Sequence, residues 1–150
     1  MAEATAVEPA FHAATRMLIE SAGGTLQQGP LKKKERVVEK MENDYNNDHR
    51  RVVDICRDTG VFETMNGYAR AVEKLLSGDC GLELVRFKDR LAGGGNSFGY
   101  RDLMMNIKLP DSDHIGELQL HLKPIVEPLE AVAGSSLIGS LMQKALPSCR

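Results

Sequence analysis

The chain has 150 residues, with 21 acidic side chains against 19 basic ones and a net charge of −2. That is enough chain for one domain with its own core, and a charge too close to zero to bind nucleic acid through bulk electrostatics. An apolar share of 42% argues against disorder, and no apolar run is long enough to span a membrane.

The opening M-A-E-A-T-A-V-E-P is acidic and has no apolar stretch, so neither a secretory signal nor a transit peptide is expected. Cys56, Cys80 and Cys149 are widely spaced and form no C-x-x-C. They read as reduced thiols, which points to a cytoplasmic protein and away from a disulfide framework or a zinc site.

In chain order, residues 1–7 are expected to be loose, and Pro9 to open a helix to about Ser21 with Phe11, Ala14, Met17 and Leu18 at helical spacing. His12 on that helix reads as a surface histidine. Gly23 and Gly24 end it. After Gly29-Pro30, a second helix is expected from Leu31 to about Tyr45. At about 100° per residue, Lys32, Lys33, Arg36 and Lys40 fall in one wedge of it, opposite Leu31, Val37, Val38, Met41 and Tyr45. Such a basic face suits a polyphosphate; the plain alternative is a solvated helix face, with Glu35 and Glu39 nearby.

Asn46, Asn47 and Asp48 make a turn, and residues 52–62 read as a strand that carries Asp54 between Val53 and Ile55. A carboxylate there needs compensation, and a metal ion is one source of it; a strand-end turn is the other explanation. Gly60 suggests a bulge or a close approach. A helix capped by Thr64 runs to Leu76, with Met65, Tyr68, Val72 and Leu75 or Leu76 as its apolar stripe, and Ser77-Gly78-Asp79 ends it.

Three strands follow. The first spans residues 82–91 and leaves through a glycine loop that lacks the spacing and lysine of a P-loop. In the next, Leu103, Met105, Ile107 and Leu109 alternate with Tyr100, Asp102, Asn106 and Lys108, with Met104 on the polar side. The last runs from Ile115 to Leu122, with Leu118, Leu120 and Leu122 against Glu117, Gln119 and His121. The leucine side is available for helices, and the other side is either a wet sheet face or a site. Beyond Pro124 a helix is expected near residues 125–132, then a small amphipathic one with Leu137, Ile138, Leu141 and Met142, able to pack on the domain or on a partner or second copy.

The order predicts an α+β fold with a small, mixed, mostly antiparallel sheet flanked by helices. If the strand of Asp54 neighbours the strand of Glu117, the two carboxylates would hold Mg²⁺ opposite the basic helix, a set of groups suited to phosphoryl chemistry.

R-F-K-D-R-L at 86–91, G-Y-R-D-L at 99–103 and E-L-Q-L at 117–120, with Asp54 upstream, resemble the synthetase domain of the RelA/SpoT alarmone synthetases. The family motifs read R-I/V-K-D-Y-I, N-G-Y-R-S-L-H and E-V/I-Q-I-R. The likeness runs from about Gly29 to Leu122. It implies a nucleotidyltransferase-like fold, and transfer of pyrophosphate from ATP to the 3′-hydroxyl of GDP or GTP with Mg²⁺ as cofactor.

By that resemblance Lys32, Arg36 and Lys40 would hold ATP phosphates. Asp54 would bind Mg²⁺, and Glu117 would bind metal or activate the hydroxyl. Tyr100 would stack on the acceptor guanine, with Lys88 and Gln119 assisting. The resemblance divides the chain into an N-terminal segment (1–28), a synthetase domain (29–123) and a helical tail (124–150). The chain departs from the pattern at Thr59, where the family has Arg, and at Phe98, Asp102, Met104 and His121, where it has Asn, Ser, His and Arg. Each change removes a polar or cationic contact on the acceptor or phosphate side. The alternative is therefore a catalytically inactive nucleotide-binding or protein-interaction module of the same fold. Neither membrane nor nucleic acid is an expected partner.

Overall fold

The computed structural model describes residues 2–44, 56–91 and 102–123. Asp54, Tyr100 and the expected C-terminal helices lie outside these residues, and so does the side chain of Lys40. The elements are α1 (Ala2–Ser21), β1 (Thr25–Gln28), α2 (Lys34–Asp44), β2 (Arg57–Phe62), α3 (Met65–Ser77), β3 (Glu83–Asp89), β4 (Asp102–Lys108) and β5 (Ile115–Leu122). Among the described residues, no helix is long and apolar enough to cross a membrane.

The five strands form one mixed sheet in the order β1-β2-β5-β4-β3. β2 and β5 pair in parallel, and the other three pairings are antiparallel. The α+β fold with a mostly antiparallel sheet is as expected, and β2 does lie beside β5.

One sheet face is the core. Leu103, Met105, Ile107, Leu118, Leu120 and Phe62 are buried on it. α1 lies against β1 and β2, and α3 against β2, β3 and β5, so this face carries both helices. From α1 come Phe11, Leu18 and Ile19, and from α3 Tyr68, Ala71, Val72 and Leu75, all buried. Full burial of side chains this size is worth about 1.5–3 kcal/mol each. α3 is built as expected: the Thr64 hydroxyl accepts from the Gly67 N–H at 3.1 Å, and Gly78 ends the helix at φ 80°.

α1 departs from expectation. It begins at Ala2, with Pro9 inside it. The run A-E-A-T-A-V-E has high helix propensity, so the missing N–H of Pro9 removes one bond from the ladder and leaves the preceding turns intact. Met17 is 73% exposed, while Thr15 faces inward. Thr15 can be buried because its hydroxyl donates to Asp58 at 2.5 Å, with the Phe11 carbonyl 2.9 Å away. His12 is not a surface histidine: its Nδ1 sits 2.8 Å from Asp58 Oδ2, and its side chain is only 13% exposed.

Two further differences concern residues 25–34. β1 had no signal, because T-L-Q-Q is too short to display a period. α2 starts at Lys34, so Lys32 and Lys33 precede it and the helical wedge holds only from Arg36 onward. The Gly29 N–H donates to the Arg57 carbonyl at 2.9 Å, which keeps the chain extended along β2 before it can turn into a helix. Val37 is buried and Val38 is exposed, whereas the helical spacing puts both on the apolar side.

The close approach expected at Gly60 is real. A Cβ there would come within 2.5 Å of Ile19 Cδ1, and one at Gly116 would enter the Phe11 ring. α1 thus rests on two strand positions that have no side chain. Gly116→Val is expected to destabilise the protein by about 1–3 kcal/mol, the usual cost of overpacking, read from urea unfolding midpoints.

Candidate functional site

The opposite face of the sheet carries the candidate site, and the strand registers set its order. Directly paired residues share a face, so four strands contribute one row: Arg57 is opposite Glu117, Glu117 opposite Asn106, and Asn106 opposite Arg86. A second row runs Gln27, Thr59, Gln119, Met104, Lys88. The third places Val61, His121 and Asp102 side by side.

The β3 register shifts between Leu84 and Arg86. This irregularity lets Leu84 stay opposite core Ile107 while Arg86 comes opposite Asn106 on the other face. The extra residue is what aims Arg86 into the row.

The face is not simply wet. Asn106 is 2% exposed and Glu117 6%. Glu117 Oε1 accepts from Gln119 Nε2 at 2.6 Å and lies 3.1 Å from Arg57 Nε. Among the described residues Glu117 Oε2 takes no hydrogen bond. Arg86 Nε donates to Asn106 Oδ1 at 3.0 Å. Asn106 Nδ2 is buried and has no partner among the described residues.

At the far end of β4, Asp102 is fully buried. Arg90 grips it with two bonds, Nε at 2.5 Å and Nη2 at 2.6 Å, and His121 Nε2 stands 3.7 Å away. Burial holds His121 below its usual pKa; the Asp102 carboxylate opposes this and the Arg90 guanidinium adds to it. A shallow depression lined by Gln27, Thr59, Val61, His121 and Lys123 opens beside this cluster.

A separate carboxylate, Asp58, points into the core face. Besides Thr15 and His12, it accepts from the Gly29 N–H at 3.3 Å. Its neighbour Cys56 is buried, and its thiol is pushed up to about 11 by burial, then by Glu8 and Asp58, so it is an inert thiol at neutral pH.

The structure therefore brings Glu117, Gln119 and Lys88 onto one face, and adds Arg57, Arg86 and Asn106, which sequence reading did not assign. Arg57 and Arg86 had a signal, as cations at period 2 from Thr59 and Lys88; Asn106 had only its place in the alternation. The Gln119 amide nitrogen donates to Glu117 Oε1, so it orients that carboxylate. Arg36 is 72% exposed and pairs with Glu39 at 3.4 Å. Lys32 sits in the extended run before α2. Asp54 and Tyr100 are outside the described residues, and among those residues no group of three or more potential metal ligands occurs. The open Glu117 Oε2 fits a hydrated Mg²⁺ only as one ligand, with phosphate oxygens and waters completing the shell.

The chain is thus an α+β domain whose mixed sheet has one face covered by helices and the other lined by Arg, Lys, Glu and Asn. The chain has the fold of the small alarmone synthetases. Small alarmone synthetase 2 from Bacillus subtilis superposes with a TM-score of 0.61 at 15% identity, covering 93% of this chain and 90% of that one. Small alarmone synthetase 1 from Bacillus subtilis bound to its product pppGpp gives 0.59 at 15% identity, covering 93% and 87%. The complex of the Type VI effector Tas1 with its immunity protein gives 0.58 at 19% identity, covering 93% and 72%. No protein-family model and no curated protein sequence matches the chain.

Two predictions concern the Asp102 cluster. Arg90→Leu leaves a buried carboxylate unpaired and is expected to cost about 3–5 kcal/mol in urea unfolding, while the double variant Arg90→Leu, Asp102→Leu recovers most of the loss. Because folding lowers the His121 pKa, the neutral ring is the form the fold favours. Stability from this residue is complete above its ordinary value of 6.5 and declines as pH falls below it. His121→Gln should flatten that acid limb of the midpoint-versus-pH curve relative to the parent protein.

Proposed function

We propose that this protein is a RelA/SpoT-like pyrophosphotransferase, which moves the β,γ-pyrophosphate of ATP to the 3′-hydroxyl of GDP or GTP. The observation that carries the reading is the row Arg57–Glu117–Asn106–Arg86, on the polar face of a sheet with the alarmone synthetase fold. In this reading the 3′ oxygen forms a bond to the β-phosphorus, and the bond from that phosphorus to the oxygen bridging to the α-phosphate breaks. AMP leaves with the electron pair, and the hydroxyl proton passes to Glu117 Oε2.

Glu117 is held for this by Gln119 and Arg57 on its other oxygen, so the receiving atom has a fixed direction. Arg86 and Lys88, two residues apart on one strand face, supply a fork and a point charge for phosphates. Lys32, Arg36 and Lys40 would bind the ATP phosphates, and Tyr100 would stack on the guanine, as the sequence resemblance implies. Mg²⁺, held by Asp54 with phosphate oxygens and waters, would neutralise the charge that develops on the phosphate oxygens; Glu117 would be its ligand only if a group other than Oε2 takes the proton.

A second reading is the inactive module. It is favoured by the closed Arg90–Asp102 pair, which occupies the β4 position where the family pattern has Ser, beside His121 where it has Arg. The two readings part on turnover. Pure protein with ATP, Mg²⁺ and GDP or GTP should yield AMP and a 3′-diphosphorylated nucleotide, resolved by ion-exchange chromatography. Glu117→Gln should lower the rate by about 10²–10⁴-fold, the range for a lost general base. Nucleotide binding without product would select the module.

A further inference from the structure

We propose that Asn106 contacts the nucleotide directly, its amide N–H holding the oxygen of the sugar hydroxyl that faces Glu117. This rests on the reading of the strand face as an acceptor site given above. A guanidinium has no acceptor, so the bond from Arg86 Nε at 3.0 Å fixes which end of the amide is Oδ1. The planar amide then turns Nδ2 away from Arg86. Nδ2 is buried, and it has no partner among the described residues. A buried donor left empty destabilises a fold and needs an explanation. An aliphatic residue at this position would avoid that cost.

The explanation lies across the strand pair. Asn106 and Glu117 are directly opposed in register and on one face. Glu117 Oε1 is occupied by Gln119 and Arg57, while Oε2 takes no hydrogen bond among the described residues. One strand thus offers an unmet donor, and the neighbouring strand an open acceptor. The group that satisfies both must accept one hydrogen bond and donate another. An ionised phosphate oxygen cannot donate, and an ammonium cannot accept. An alcohol does both, and a ribose hydroxyl is the alcohol a nucleotide brings. Asn106 would fix the oxygen, and Glu117 would face its proton.

The test is calorimetric titration of the full chain, in Mg²⁺ buffer, with GTP and with 3′-deoxy-GTP. The parent protein is expected to bind GTP roughly five- to tenfold more tightly, the worth of about one net hydrogen bond or slightly more. In Asn106→Ala the ratio should fall to near one, with little change in affinity for 3′-deoxy-GTP. Asn106→Asp, nearly isosteric but lacking the donor, serves if the alanine variant unfolds early in urea. Equal binding of the two nucleotides by the parent overturns the proposal alone. So does an undiminished ratio in a folded variant, or the failure of both variants to fold, which would make Asn106 structural. Absence of any guanine-nucleotide binding by the parent overturns the pyrophosphotransferase reading as well.

Discussion

The parallel ladder between β2 and β5 is the constraint from which the rest of the polar face follows. It sets Arg57 beside Glu117, two residues 60 positions apart in sequence. A parallel pair cannot be closed by a tight turn, so the chain between these strands must cross over, and here the crossover includes α3, β3 and β4. The meander β3–β4–β5 then carries Asn106 and Arg86 into the same row. Backbone hydrogen bonds fix the spacing of all four side chains, and strands hold such a constellation more rigidly than loops do.

Buried charge is handled differently at three places in the sheet. On the helix face, Asp58 accepts from Thr15 and Gly29 and lies against His12. Near the end of β4, Asp102 is gripped by both forks of Arg90. Both carboxylates are fully buried and fully compensated, the condition for a buried charge to be tolerated as structure. Asn106 differs: its Oδ1 is engaged by Arg86, and its buried Nδ2 has no partner among the described residues. In a buried network, incomplete satisfaction points to a ligand, because the fold alone gains nothing from the unmet atom.

The two functional readings contend over neighbouring parts of one surface. The row through Glu117 retains an oriented carboxylate with cations on both sides, which suits phosphoryl chemistry. In the cluster through Asp102 the carboxylate is closed by its ion pair with Arg90, which suits the module. A shared fold does not decide between them, since fold and chemistry are inherited separately. The decision belongs to the side chains of one sheet face.

Much of this architecture was legible in the sequence. Period-2 alternation from Leu103 to Leu109 and from Ile115 to Leu122 gave β4 and β5 and their faces, and the Thr64 cap and apolar stripe gave α3. The motifs around Lys88, Glu117 and Gln119 marked three residues that the sheet brings onto one face. β1 was too short to carry a period, and the start of α2 is set by the Gly29 bond to Arg57, a contact made across the sheet. Which carboxylate is structural was also hidden: Asp58 and Glu117 look alike in sequence, and His12 looked like a surface residue. Alternation assigns a residue to one of two faces, because it depends only on local backbone geometry. What covers each face, and which atoms remain unmatched there, depends on partners far apart in the chain, 46 positions for His12 and Asp58, and these meet only when the sheet closes.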